Sequence, residues 1–318
     1  MLNVLPPHPT GDAAPHAAAV WLDLVNPDAN EIRLVEDMTG LRLPSREELT
    51  SIEQSSRLSR DDRLLRMATP VVADAEKDHP QMSHVGVILT PKLLVTVRFA
   101  KLFVFEKAAE KCVASEATTS VAIFATLMEA IVARQADLLE DARNQLDQIS
   151  HRVFRNATQD PRRAMRNNAL MRDKMQRLGR IAELTSIVRD SLLGVDRMVD
   201  YAGDNAEHWF SPEQHKRLHQ VVEDIGVLTH FEEHLLGKVQ FLLDAVLGFI
   251  NIEQNDIFKV LTIASVVGIF PTLVAGWYGM NFQNMPELHW TYGYPFGIGL
   301  ILASTILPLA WFKWRGWM

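Results

Sequence analysis

Formal charge is missing from the end of this chain. After Lys259 the 318-residue sequence carries only Glu287, Lys313 and Arg315. Two stretches have none at all, residues 260–278 (19 residues) and 292–312 (21 residues). At about 1.5 Å per residue the shorter one reaches roughly 28 Å, close to the thickness of a bilayer's hydrocarbon core. A helix buried in a soluble core seldom stays charge-free for so long. Both stretches are therefore predicted to be transmembrane helices, and two central helices of a soluble domain are the alternative.

Other absences narrow the chemistry. The single cysteine, Cys112, excludes an intramolecular disulfide and leaves no thiolate metal cluster. Residues 1–19 lack a basic segment followed by an apolar one, so no secretory signal is expected there. Both points predict that the large N-terminal body lies in a reducing cytoplasm. There is no Gly-x-x-x-x-Gly-Lys-Ser/Thr loop, no nucleophile elbow and no His-Glu-x-x-His, so neither a nucleotide nor enzyme chemistry is expected. Residues 1–259 hold 30 basic and 38 acidic side chains, a net −8. An acidic body argues against nucleic acid as a partner and is compatible with cations. Lys and Arg are absent from residues 279–291, whereas Lys259, Lys313 and Arg315 flank the two apolar stretches. The positive-inside bias then predicts both termini in the cytoplasm and the connecting loop outside. Trp277, Tyr278, Trp290, Tyr292 and Tyr294 gather at the outer boundary, and Trp311, Trp314 and Trp317 at the inner one, as an aromatic belt would.

What is present divides the body in two. Residues 18–25 read as a strand ending at Asn26-Pro27. Ser45 to Leu58, after Pro44 and with Glu47 and Glu48 early, reads as a helix. Residues 64–72, 84–89 and 93–98 are β-rich, with Thr90-Pro91-Lys92 as a hairpin turn. From Thr118 strand signals vanish. Helical periodicity covers 121–154, breaks at Asp160-Pro161, and resumes from Met165 to Tyr201, ending at Gly203-Asp204. Ser211-Pro212-Glu213 opens a further helix with Ser as its cap and Pro at its first position. With no Pro from Glu213 to Phe270, one helix can run from the body into the membrane. The expected organisation is an α/β cytoplasmic domain (1–116), a helical region (117–204), the stalk part of a long helix (205–259), a first span (260–278), an outward loop (279–291), a second span (292–312) and a basic tail (313–318).

Two spans in one copy cannot enclose a path, so a transporter built this way has to oligomerise around one of them. In the first span Asn255, Phe258, Thr262, Ser265, Ile269, Thr272, Gly276 and Gly279 recur at intervals of three and four, along one seam of a helix. Hydroxyl and amide groups alternating with apolar ones suit a pore lining. Small and hydroxyl residues also collect on helix-packing faces, and periodicity leaves the two readings open. On the stalk, His215 with His219 and His230 with His234 have the i, i+4 spacing that can hold Zn²⁺, or they lie on a solvated face. The stalk acids Glu223, Asp224, Glu232 and Glu233 carry no pattern that singles out a metal sensor.

Gly279-Met280-Asn281, Phe282, Met285-Pro286-Glu287-Leu288, the tail Lys313 to Trp317, and the segments at 251–255, 259–262 and 270–275 together resemble the CorA family of divalent-cation channels. The contiguous similarity covers about residues 245–318; beyond it the order of elements is what matches. The resemblance implies a homopentamer in the bacterial inner membrane, with the first span of each subunit around a pore. It implies Gly279, Met280 and Asn281 at the outer mouth, where five Asn281 amide oxygens would face an ion. Mg²⁺ sheds water reluctantly, and neutral oxygens can accept hydrogen bonds from its hydration shell without stripping it. It further implies Asn255, Thr262 and Thr272 as pore lining and Phe258, Leu261 and Ile269 as apolar gates. Glu287 is either an outer-loop cation attractor or a solvated acid. The expected cargo is Mg²⁺, with Co²⁺ or Ni²⁺, and no cofactor is expected beyond Mg²⁺ as substrate and regulator. No metal site in the cytoplasmic domain is assigned. Two charges moved through 100 mV give about 4.6 kcal/mol, so the potential alone suffices as a driving force. A zinc transporter of the same superfamily and a membrane-anchored scaffold or sensor without transport are the alternatives.

Overall fold

The computed structural model describes residues 1–5, 19–50, 57–61, 63–73, 80–114, 119–156, 164–280 and 285–317. These form two compact units, one of Met1–Thr158 and Arg172–Leu243, the other of Gln159–Met171 and Asp244–Met318.

The first unit is built on a six-stranded sheet of order β1-β2-β6-β5-β4-β3: β1 (Leu2–Leu5), β2 (Trp21–Val25), β3 (Leu58–Asp61), β4 (Leu64–Ala73), β5 (Gln81–Leu89) and β6 (Leu94–Arg98). All neighbours are antiparallel except β2 with β6. Alternation along the strands sorts their side chains onto two faces. Leu22, Leu24, Ile88, Val95 and Val97 pack against Val35 of α1 (Ala29–Thr39) and against Leu43. Helix α1 starts at a capping box, Asp28 accepting from Asn30 and Glu31 N–H, and ends at Gly40 with φ 65. The short α2 (Arg46–Thr50) covers β5 on the same face, close enough that a Cβ on Gly86 would meet Leu49 at 2.8 Å and Pro44 at 2.9 Å.

The other face carries a buried ion pair. Asp23 and Arg98 are 3% and 2% exposed. Arg98 Nη2 donates to Asp23 Oδ2 at 2.8 Å and its Nε to Oδ1 at 3.2 Å, while Nη1 reaches the Ala100 carbonyl at 3.3 Å. Thr96 donates to Asp23 Oδ1 at 2.8 Å and accepts from the Trp21 indole at 3.0 Å. The guanidinium lies 4.6 Å from the Phe105 ring centre of α3 (Phe103–Ala114).

Three long helices follow: α4 (Ser120–Asn156), α5 (Ala164–Ala206) and α6 (Pro212–Tyr278). Ser120 ties α4 to the β5–β6 turn by donating to the Thr90 carbonyl. Within the first unit α4 and α6 run parallel, since Glu129, Asp147 and Phe154 meet Arg217, Lys238 and Phe241 in rising order. Gln135 of α4 donates to Ser191 of α5. Helix α6 also begins at a capping box, with Ser211 Oγ accepting from Gln214 N–H and the Gln214 side chain accepting from Ser211 N–H. In the second unit α6 continues unbroken to Tyr278, a 3₁₀ turn covers Pro286–His289, and α7 spans Gly293–Trp314.

The expected α/β body, long helix and two apolar C-terminal helices are all present. Three details differ. The helix expected from Ser45 to Leu58 is observed as α2 at Arg46–Thr50, residues 51–56 lie outside the described residues, and Leu58 opens β3, because pairing with β4 overrides a weak strand propensity. The break expected at Gly203-Asp204 does not occur. Helix α5 runs through it to Ala206, since an interior glycine costs only about 1 kcal/mol and Ala202 and Ala206 are fully buried on either side. The expected boundary at 204 therefore falls inside a helix. Strands β1 and β3 and helices α1 and α3 come in addition to the expected elements. The break at Asp160-Pro161 lies outside the described residues.

The Asp23–Arg98 pair gives a direct test. Arg98→Leu leaves a buried carboxylate without its cation and is expected to cost about 3–5 kcal/mol, whereas Asp23→Leu with Arg98→Leu recovers much of that loss. Chemical unfolding of the full chain in detergent, followed by tryptophan fluorescence, measures both.

Candidate functional site

The seam expected on the first span lies on α6. At about 100° per residue, Asn255, Phe258, Leu261, Thr262, Ile269, Thr272 and Gly276 fall within an arc of about 120°. All are exposed on the single chain, Phe258 by 64% and Leu261 and Ile269 by 59% each. None of the apolar window of α6 is buried, and 6% of that of α7. The core helix of a soluble protein would be covered by its neighbours, so the soluble alternative fits poorly.

The hydroxyls on the seam have a defined polarity. Thr262 donates to the Phe258 carbonyl at 2.8 Å. Thr272 donates to the Gly268 and Ile269 carbonyls at 3.0 and 2.9 Å. A threonine has one hydroxyl proton, so each oxygen that turns its proton back onto the helix presents only lone pairs outward. Such a surface accepts hydrogen bonds from a hydrated cation's water and has no proton to set against positive charge.

Helix α6 closes just before Gly279 and Met280. Gly279 N–H donates to the Ala275 carbonyl at 2.9 Å and Met280 N–H to Trp277 at 3.4 Å. A Cβ at Gly279 would stand 3.1 Å from the Ala275 oxygen, so close approach of backbone explains the glycine. Met280 is 45% exposed. Asn281 lies outside the described residues. Glu287 belongs to the 3₁₀ turn of the loop. Beyond it the Trp290 ring lies 6.3 Å from Tyr292 and 5.7 Å from Phe296. At the other end of α7, Arg315 caps the Trp311 ring at 5.5 Å and Phe312 stacks on Trp317 at 5.4 Å.

The stalk histidines face solvent beside acids: His219 lies 3.5 Å from Glu223 and His230 3.7 Å from Glu233. His215 approaches the Glu207 carbonyl at 3.2 Å. Among the described residues no three His, Cys, Asp or Glu side chains converge as a metal site. Of the four stalk acids, Asp224 accepts from Gln220. Glu232 stands apart. Its side chain is fully buried and neither carboxylate oxygen has a hydrogen bond; the nearest cation, Arg189 of α5, is 4.0 Å away. Burial raises its pKa above 4.5, and Glu233 and Asp190 push the same way against Arg189.

Two helices that are long and apolar enough to cross a bilayer, uncovered by the rest of the chain, mark the class as a membrane protein with two candidate spans. Comparison with known proteins makes the class specific. Residues 16–314 match the family described as CorA-like Mg²⁺ transporter protein. The magnesium transport protein CorA of Escherichia coli (strain K12) is 32% identical over 312 residues, 96% of this chain and 94% of that protein. That of Haemophilus influenzae is 31% identical over 302 residues, 94% and 92% of the two chains. Among solved structures, the complete CorA magnesium transporter of Methanocaldococcus jannaschii superposes with a TM-score of 0.73 at 17% identity, covering 94% of this chain and 91% of that one. The full-length CmaX protein gives 0.57 at 17% identity, over 95% and 89%. The chain belongs to the CorA-like Mg²⁺ transporter family.

Glu232 generates a pH prediction. A carboxyl whose folded pKa is raised stabilises the fold below its unfolded value, and that contribution is lost as the pH rises through the folded value. Thermal unfolding of the full chain should therefore show the native protein losing stability relative to Glu232→Gln as the pH rises above the ordinary carboxyl range, so that the variant melts higher at high pH and the gap closes on acidification.

Proposed function

We propose that this protein is a homopentameric, channel-type transporter that carries Mg²⁺, and also Co²⁺ or Ni²⁺, across the bacterial inner membrane down the electrochemical gradient. Both termini lie in the cytoplasm and the loop around Pro286–His289 lies outside. The observation that carries this reading is the uncovered seam of α6. Phe258, Leu261 and Ile269 at about 60% exposure need a cover, and Thr262 and Thr272 among them keep outward lone pairs that water in a pore could use. Five copies around an axis supply both, with the seam turned inward. The family and the curated magnesium transporters among its relatives support the cargo.

In this arrangement Asn281 rings the outer mouth and accepts hydrogen bonds from the ion's bound water. Gly279 lets the backbone turn tightly enough to place it, with Met280 between them. Asn255, Thr262 and Thr272 line the path, while Phe258, Leu261 and Ile269 form apolar constrictions that interrupt the water column when they close. Glu287 draws cations to the mouth by its charge. Mg²⁺ acts as cargo and as regulator, and no nucleotide or other cofactor takes part. The membrane potential drives entry.

The test is ion uptake into proteoliposomes under an inside-negative potential, with Mg²⁺ against Zn²⁺. Asn281→Ala is expected to lower Mg²⁺ flux at least about tenfold, the effect of about 1.4 kcal/mol on the barrier. Gly279→Ala should lower it too, because the Ala275 carbonyl must move. Zn²⁺ flux exceeding Mg²⁺ flux would favour the zinc alternative. No divalent flux from the native chain would leave a scaffold or sensor.

A further inference from the structure

One buried ionisable group has no part in the transport path. The Glu232 side chain is fully enclosed where α6 meets α5, and neither of its carboxylate oxygens has a hydrogen bond among the described residues. A buried carboxylate ordinarily sits among donors, as Asp23 does with Thr96 and Arg98. Three charges act on Glu232: Arg189 and Asp190 of α5, and Glu233 of its own helix. Of these only Arg189 is positive, and its Nη1 stands 4.0 Å from Glu232 Oε2, just beyond hydrogen-bond length. The charged groups that α4 sets against α6 are engaged elsewhere, Glu129 with Arg217, and Asp147 with Lys238 and Arg143. On α6 itself, His230 and His234 are exposed.

Such a contact has two arrangements. With its proton on, the carboxyl is neutral and stays enclosed between the helices. Without it, a buried charge is left with no donor, which is costly enough that the chain has to move. Arg189 is the partner at hand. Its side chain is 45% exposed, so it has room to follow the carboxylate, and a small roll of α6 against α5 brings the pair within bonding distance. The packing of α6 on α5 then differs between the two protonation states. Helix α6 continues from this contact without a break to Tyr278. Coupling along it needs only that continuity, because a rod of this length keeps its course where neighbours brace it.

We propose that Glu232 is a proton-operated latch between α5 and α6: the neutral carboxyl keeps α6 braced and sustains transport, and ionisation releases the brace and lowers flux. This rests on the transport function proposed above. It makes the α/β and helical body a sensor of pH on its own side of the membrane.

The full chain and its variants are reconstituted into proteoliposomes under a fixed inside-negative potential, with one buffer on both sides stepped from the ordinary carboxyl range to alkaline pH. Mg²⁺ uptake by the native protein should fall as the pH rises, by at least about threefold. Glu232→Gln, which imitates the neutral carboxyl, should keep the acid-side rate throughout. Arg189→Gln should move the midpoint to higher pH and Asp190→Asn with Glu233→Gln to lower pH, because a cation favours the ionised form and an anion opposes it. Amide exchange in residues 186–192 and 229–235, compared with Glu232→Gln at equal pH, should match at the acid end and be at least about threefold faster in the native protein at the alkaline end. Equal exchange in β4–β6 in every variant is the check on folding. Measurable native flux that does not fall with pH overturns the latch. So does a change of rate in Glu232→Gln without the opposed midpoint shifts, which would assign Glu232 to packing alone. Proton-linked exchange with no divalent flux at any pH overturns the transport reading and the latch with it, and so is distinguishable from the other failures.

Discussion

One unbroken hydrogen-bonded helix, α6, has to satisfy its backbone in two solvents. Its 67 residues are far longer than propensity can hold rigid alone. In the body the lateral support is explicit: the Arg217 fork on Glu129 at 2.7 and 2.9 Å, the Lys238–Asp147 pair, and the Phe241–Phe154 stack. In hydrocarbon the constraint reverses. There every unpaired N–H or C=O costs several kcal/mol, so the helix is obligatory and its side chains are free to face lipid or one another. Pro271 tests this, since it removes one donor from the ladder within the span. Thr272 stands beside it and turns its hydroxyl onto the Gly268 and Ile269 carbonyls. Pro308 of α7 has a similar pair of neighbours, Ser304 and Thr305, both donating to Ile301. These hydroxyls bond carbonyls other than those the prolines free, Val267 and Ser304, so they add side-chain bonds to the spans without replacing the lost ones.

The body handles buried charge in two opposite ways. Asp23 is enclosed with its cation and further donors, so both charges persist inside the sheet layer. Such a pair adds little net stability over an apolar replacement, but it penalises any register of β2 against β6 that separates its members. Glu232 lies at the α5–α6 contact without a hydrogen bond, and the Arg189 guanidinium is too distant and too solvated to compensate. Burial therefore favours the protonated carboxyl at the contact between α5 and α6.

Legibility in the sequence followed the range of the interaction. The start of α6 was readable because Ser211, Pro212 and Gln214 act within four residues, and the spans because lack of charge needs no partner. The capping box at Asp28 and Glu31 is equally local, but it stands beside the stronger strand signal of residues 18–25. Edge strands β1 and β3 are set by pairing, and Leu58-Ser59-Arg60-Asp61 has nothing β-like of its own. Gly203 reads as a terminator only until the burial of Ala202 and Ala206 is known. The Asp23–Arg98 pair joins residues 75 apart, and Glu232 differs from Glu223 and Glu233 only in the helix phase it presents to α5. On the first span, periodicity groups Asn255, Phe258, Thr262, Ile269 and Thr272 but gives no direction, and exposure adds none, since Val260, Leu273 and Phe270, outside that group, are open to a similar degree. The outer motif was readable through resemblance to a family, since nothing in Gly279-Met280-Asn281 by itself separates it from an ordinary turn.

A seam of neutral acceptors interrupted by apolar rings makes physical sense for a small, strongly hydrated dication. Carboxylates along the path would bind such an ion tightly at one point and slow its release, while donors would repel it. Hydroxyls whose protons are already committed to the helix avoid both outcomes, because they interact with the water around the ion rather than with the metal. In the proposed pentamer, discrimination would depend on how well a ring of acceptors matches the diameter of the hydrated ion, and packing around the axis would set that diameter through the length of α6 and the helices that brace it. A change far down the stalk can alter selectivity without touching the path, provided it changes how α6 is held.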